Sequence, residues 1–93
     1  MSRRKLSEAE LDRALAELEW AREGEELVKT VVLPGFTDAL AWVNAVGALA
    51  EEQDHHPDIW ISWNRVTLRL TTHSAGALTE ADVELARAID AMA

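Results

Sequence analysis

Val66, Leu68 and Leu70 alternate with Thr67, Arg69 and Thr71. This pattern constrains the fold more than any other stretch of the chain. A strand with one apolar and one polar face needs cover on one side and water on the other, which is the habit of an antiparallel sheet. Immediately upstream, Ile59, Ile61 and Trp63 alternate with Trp60 and Ser62. The two segments predict a hairpin whose tight turn is Asn64-Arg65, since Asn tolerates the left-handed region. A first hairpin is predicted earlier in the chain. Trp20 to Glu23 reads as a short strand, Gly24 with Glu25 as a turn, and Leu27 to Leu33, rich in Val and Thr, as a second strand ended by Pro34-Gly35.

Helices fill the intervals. Ser7-Glu8-Ala9-Glu10 is a capping box, and Leu11, Ala14, Leu15 and Leu18 follow at helical spacing, predicting a helix from Ser7 to about Leu18. Thr37 can cap a second helix that runs to about Gln53. From Ala39 to Ala50 only Asn44 is strongly polar, and a helix apolar nearly all round is buried on more than one side. The stripe Phe36, Leu40, Val43, Gly47 and Ala50 is expected to cover the sheet. The opposite stripe, Trp42, Val46 and Leu49, is then covered either by the other helices or by a partner subunit. Thr79-x-x-Asp82 forms a second capping box, with Asp in place of the usual Glu or Gln, and Val83, Leu85, Ala86, Ile89 and Met92 carry a last helix to the end. The order is α-ββ-α-ββ-α, an α+β fold with a four-stranded antiparallel sheet and helices packed on one face. At 93 residues the chain is read as a single domain, 1–93.

Charge and composition narrow the function. Nine basic and 17 acidic residues give 9 − 17 = −8, which argues against a nucleic-acid backbone as a direct partner, because that surface rewards basic faces. It suits a soluble protein handling a small or neutral ligand. No apolar run is long enough to span a membrane, and Leu6 to Leu11 is too mixed for a signal peptide, so the expected compartment is the cytoplasm. With no Cys, disulfides and thiolate zinc sites are excluded.

The chain has three His, at 55, 56 and 73. His55 and His56 precede the third strand and His73 follows the fourth, so the hairpin brings residues 18 apart in sequence to one end of the sheet. Asp54 joins them there, with Glu51, Glu52 and Asp58 near in sequence. Imidazole titrates near neutral pH, so such a cluster can exchange protons there. Three readings are open. Polar loop residues can simply collect at a sheet end. Three His can hold zinc, although adjacent His side chains diverge on a helix or a strand, and ligands more often stand two or four apart. The third reading is metal-free general acid–base catalysis, for which His is the commonest agent.

Glu52-Gln53-Asp54-His55-His56-Pro57-Asp58, then Trp63-Asn64-Arg65-Val66, Leu70-Thr71-Thr72-His73 and Leu78-Thr79-x-x-Asp82 together resemble the pterin-4a-carbinolamine dehydratase family. Glu25-Glu26-Leu27, Gly35-Phe36 and Ala41-Trp42-Val43-Asn44 extend the resemblance upstream, to roughly residues 20 to 90. The resemblance implies dehydration of a 4a-hydroxytetrahydropterin to a quinonoid dihydropterin, within tetrahydrobiopterin recycling, with no metal and no organic cofactor. It implies His55 and His73 for acid–base work and His56 for positioning the pterin, the three forming the catalytic set. Asp54 would orient an imidazole, contact the pterin or simply end the second helix. Pro57 would fix the backbone that aims His56, Thr72 and Ser74 would offer hydrogen bonds to the pterin ring, and Asp82 would cap the third helix. A homodimer or homotetramer is expected, joined through sheet edges or helices. The alternative is a non-catalytic dimerisation, assembly or transcriptional-coactivator module of the same fold. Two positions depart from the family's pattern. Ile59 stands where an aromatic is common, and Ala77 where Gly is common, so a positive φ at Ala77 would strain the last loop.

Overall fold

The architecture comes from a computed structural model that describes residues 3–92. In chain order the elements are α1 (Glu8–Leu15), β1 (Ala21–Glu23), β2 (Glu26–Val32), α2 (Phe36–Gln53), β3 (Asp58–Ser62), β4 (Arg65–Leu70) and α3 (Glu80–Asp90). The two predicted hairpins form and join side by side, in the sheet order β1-β2-β4-β3, with every pairing antiparallel. The register places Leu27 opposite Leu70 and Val31 opposite Val66 on one face. Thr30, Thr67 and Trp60 line up across three strands on the other. The first face is covered. Leu27, Val66, Leu68 and Leu70 pack with Ala39, Val46 and Ala50 of α2, Val83, Leu85, Ala86 and Ile89 of α3, and Leu11 and Ala14 of α1 in one core. The second face is open, and Trp60 on the edge strand β3 is exposed.

Both capping boxes form as the spacing predicts, at Ser7 with Glu10 and at Thr79 with Asp82. Helix α1 stops at Leu15 rather than Leu18, because the next residues tighten into shorter turns: the Glu17 and Leu18 amides donate to the Ala14 and Leu15 carbonyls. Helix α2 begins at Phe36 with Gly35 at its cap and no side-chain cap bond, so Thr37 lies inside the first turn instead of capping it.

The rotation of α2 corrects the predicted stripes. Ala50 and Val43 of the first stripe reach the core as expected, but so do Ala39 and Val46, with Trp42 and Leu49 packed against it, whereas Phe36 and Leu40 are exposed. The supposed outer stripe is thus covered largely within the chain.

Two turns also differ from expectation. The β3–β4 loop is Trp63-Asn64, closed by the Ser62–Arg65 pair, and Trp63 takes the positive φ of 53°. Asn64 instead ties the hairpin to the end of β2, donating through Nδ2 to the Leu33 carbonyl at 2.9 Å and accepting the Leu33 amide at 2.8 Å. In the loop before α3, Gly76 carries the positive φ of 62° and Ala77 is buried without one, so the substitution at 77 brings no strain.

Candidate active site

The site begins where α2 ends. Asp54 adopts the left-handed conformation, φ 50° and ψ 44°, and the His55 amide closes back onto the Ala50 carbonyl at 3.0 Å. This reversal, followed by Pro57 leading into β3, turns consecutive His residues in opposite directions. His55 is buried at 5% exposure, and His56 faces solvent. The His56 Nε2 is held by the Glu51 carboxylate, one turn back on α2.

Below His55 lies a fully satisfied polar network. Its Nε2 is 2.6 Å from Oδ1 of Asp82, which is 0% exposed. Asp82 Oδ2 accepts the Thr79 amide at 2.9 Å and the Thr72 hydroxyl at 2.8 Å. The two Thr hydroxyls meet at 2.7 Å, and Thr79 Oγ1 accepts the Ala81 amide at 3.2 Å. Buried polar groups are tolerated when each is paired in this way. The second nitrogen of His55, Nδ1, is 3.1 Å from Nη1 of Arg3, whose Nη2 donates to the Asp54 carbonyl at 2.8 Å.

After β4 the chain makes a tight excursion pinned at its base by the Thr72–Ala77 bridge. The Ala75 and Gly76 amides donate to the Thr72 and His73 carbonyls, at 3.0 and 3.1 Å. His73 and Ser74 are exposed at its tip, and the His73 ring makes no hydrogen bond among the described residues. A cavity of about 220 Å³ opens between this tip and the end of α2, lined by Asp54, all three His, Ser74, Thr71 and Arg3. It is smaller than a drug-sized cleft, which runs from about 300 Å³ upward. Larger hollows lie along α1 and α3 (≈ 300 Å³) and beside β2 (≈ 540 Å³), but neither contains a His. Convergence of titratable groups marks the smaller one as the candidate site.

Of the residues singled out from sequence, Asp54, His55, His56, His73 and Ser74 meet at this cavity. Pro57, Thr72 and Asp82 do not line it: Thr72 and Asp82 lie underneath, in the network that holds His55. Arg3 and Thr71 were not anticipated. Arg3 gives no local signal, since the contact it makes spans 52 residues. Among the described residues, no group of three or more His, Asp or Glu side chains is placed to hold a metal ion, and no helix is long and apolar enough to cross a membrane.

Comparison with known proteins gives a consistent picture. A family model described as pterin 4 alpha carbinolamine dehydratase matches residues 4–92. A relative of the same family name from Roseiflexus sp. (strain RS-1) is 52% identical over 87 residues, covering 92% of this chain and 94% of its own length. Another, from Sulfolobus acidocaldarius, is 44% identical over 87 residues, covering 92% and 96%. Among solved structures, a Brucella melitensis protein described as a transcriptional coactivator/pterin dehydratase superposes with a TM-score of 0.89 at 32% identity, covering 94% of this chain and 96% of that one. A pterin dehydratase-like protein described as a RuBisCO assembly factor of the alpha-carboxysome gives a TM-score of 0.64 at 25% identity, covering 80% and 86%.

Proposed function

This chain belongs to the pterin-4a-carbinolamine dehydratase family, and on that premise we propose that it removes water from a 4a-hydroxytetrahydropterin. The observation that carries the reading is the meeting of all three His at one small cavity. In the reaction the bond from C4a to the hydroxyl oxygen breaks, and a proton leaves the adjacent ring nitrogen. A carbon–nitrogen double bond forms, and the product is a quinonoid dihydropterin plus water, ready for a reductase in tetrahydrobiopterin recycling. Hydroxide is a poor leaving group, so one group must protonate it while another takes the nitrogen's proton, each worth about 10²–10⁴-fold.

His73 and His56 present rings to solvent at the cavity, and they are proposed as the proton carriers in place of the expected pair His55 and His73. His55 is engaged at both nitrogens and forms the wall against which the pterin is positioned, with Asp54 and Ser74 supplying polar edges. Thr72, Pro57 and Asp82 act through the backbone and the His55 network. The chemistry calls for no metal and no organic cofactor, and activity is expected to survive exhaustive chelation. The single core running through every helix and the sheet supports one domain over 1–93. The exposed Phe36 and Leu40 on α2, and Trp60 on the edge strand, support a homodimer or homotetramer. Light scattering at 10.3 kDa would remove that assembly.

A non-catalytic assembly or coactivator module is the second reading, favoured by the descriptions of two solved relatives. The test is the dehydration rate of a 4a-hydroxytetrahydropterin with purified protein. Acceleration that disappears in the His73→Ala variant supports the enzyme, and no acceleration by the wild type leaves the module.

A further inference from the structure

We propose that Arg3 is a positioning residue that holds His55 as the neutral tautomer protonated on Nε2. Every nitrogen of a guanidinium carries protons, and the group accepts no hydrogen bond. The 3.1 Å contact from Arg3 Nη1 to His55 Nδ1 therefore requires a bare lone pair on Nδ1. The ring's proton is then on Nε2, which points at Asp82 Oδ1 at 2.6 Å.

The rest of the network agrees with this count. Thr72 gives its hydroxyl proton to Asp82 Oδ2, so the contact between the two Thr hydroxyls is donated by Thr79. Thr79 Oγ1 accepts from the Ala81 amide, and the Thr79 amide also donates to Asp82 Oδ2. Both of these bonds to Asp82 fall on Oδ2, which leaves Oδ1 to receive the N–H of His55 Nε2.

A second proton on His55 would place an N–H on Nδ1 directly against the guanidinium N–H, with two cations in contact. His55 can gain that proton only if Arg3 withdraws. The charged and titratable groups around His55 are Arg3 from the N-terminal arm, Asp82 from α3, and Asp54, His56 and His73, which line the same cavity. The arm is fastened close by. Leu6 is buried, its amide donates to the Leu78 carbonyl at 3.0 Å, and Lys5 pairs with Thr79 at the start of α3. Arg3 also grips the Asp54 carbonyl, so the residue that ends α2 and the ring that follows are positioned by one side chain.

The consequence for rate rests on the dehydratase reading, whereas the tautomer does not. The experiment is therefore proton–nitrogen correlation NMR of the ¹⁵N-His-labelled full chain across the range in which imidazoles titrate, on wild type, Arg3→Ala and Arg3→Lys. The wild-type His55 is expected to show a protonated Nε2 and a bare Nδ1 throughout. In Arg3→Ala, His55 should begin to titrate, and Arg3→Lys, which keeps a donor, should restore the wild-type pattern. A wild-type His55 that is doubly protonated at neutral pH, or protonated on Nδ1, overturns the proposal. So does a His55 whose behaviour is the same in Arg3→Ala.

In the dehydration assay Arg3→Ala is expected to add an ionisation to the pH profile of kcat and to lower kcat about tenfold. That is well short of the ~10⁴-fold lost when a catalytic base itself adopts the wrong tautomer. An unchanged kcat profile beside a changed NMR titration would reject the effect on rate and keep the tautomer. If the wild type does not dehydrate the pterin, the NMR comparison still decides the role of Arg3.

Discussion

Asp82 meets Nε2 of His55 at 2.6 Å through one carboxylate oxygen and receives the Thr79 amide, which opens α3, at 2.9 Å on the other. A single buried side chain therefore starts a helix and supports the wall of the cavity.

Asp82→Asn tests both duties together. The amide is the same size but has one acceptor and one donor end, so either His55 or the pair Thr79 and Thr72 must meet an N–H. The expected loss is about 2–4 kcal/mol, the range for disrupting a buried charge-assisted network, together with a clear drop in kcat. Urea denaturation gives the first quantity. A midpoint equal to wild type would show that the network contributes nothing to folding.

His73→Ala should separate function from stability. The ring is exposed and bonds to nothing among the described residues, so the change in unfolding free energy should stay within about 0.5 kcal/mol. Dehydration should fall about 10²–10⁴-fold. Full activity in this variant would remove His73 from the mechanism.

Asp90 governs the acid limb of stability. Burial pushes its carboxyl up, but the Glu19 amide, the Lys29 ammonium and the Trp20 indole N–H together outweigh burial, so the group titrates below its ordinary 3.8. A carboxyl lowered on folding stabilises fully above its unfolded value and loses that contribution as pH falls through the folded one. Asp90→Asn is expected to cost about 2 kcal/mol at neutral pH. The gap to wild type should close below about pH 4, as thermal melts taken along a pH series would reveal. A gap that stays constant down to pH 2 would contradict this account.

Gly76→Ala should destabilise by about 1–2 kcal/mol through the backbone alone. Its φ is 62°, and an added Cβ would meet nothing within 4 Å. Ala77→Gly should not stabilise, because Ala77 has no positive φ to relieve and its methyl is buried. A gain in melting temperature for Ala77→Gly would mean that the loop is strained where the backbone shows no strain.

Much of this arrangement could be read from the chain before any coordinates. The alternation through Val66–Leu70 determined a hairpin, and a hairpin brings its ends together, which placed His55 and His56 beside His73. The two capping boxes were visible because they are local in sequence. What escaped was whatever depends on distant partners. Helix α2 is apolar on nearly every side, so its sequence does not indicate which stripe faces inward; the residues that end up buried are Ala39, Val46 and Ala50. Asp82 announced its cap but not its bond to His55, 27 residues away. The bend at Trp63 ran against residue preference, since Asn64 was the natural choice for a positive φ and was committed instead to Leu33.

The unequal employment of the site's residues has an evolutionary consequence. Asp82 and Thr79 are needed to fold α3, so selection for a folded chain preserves them in a descendant that has abandoned chemistry. The His73 ring makes no hydrogen bond among the described residues and is free to drift once the reaction is dispensable. On the proposed mechanism, in telling working enzymes from scaffolds of the same shape, the exposed imidazole at position 73 is therefore the informative letter, and the buried aspartate is not.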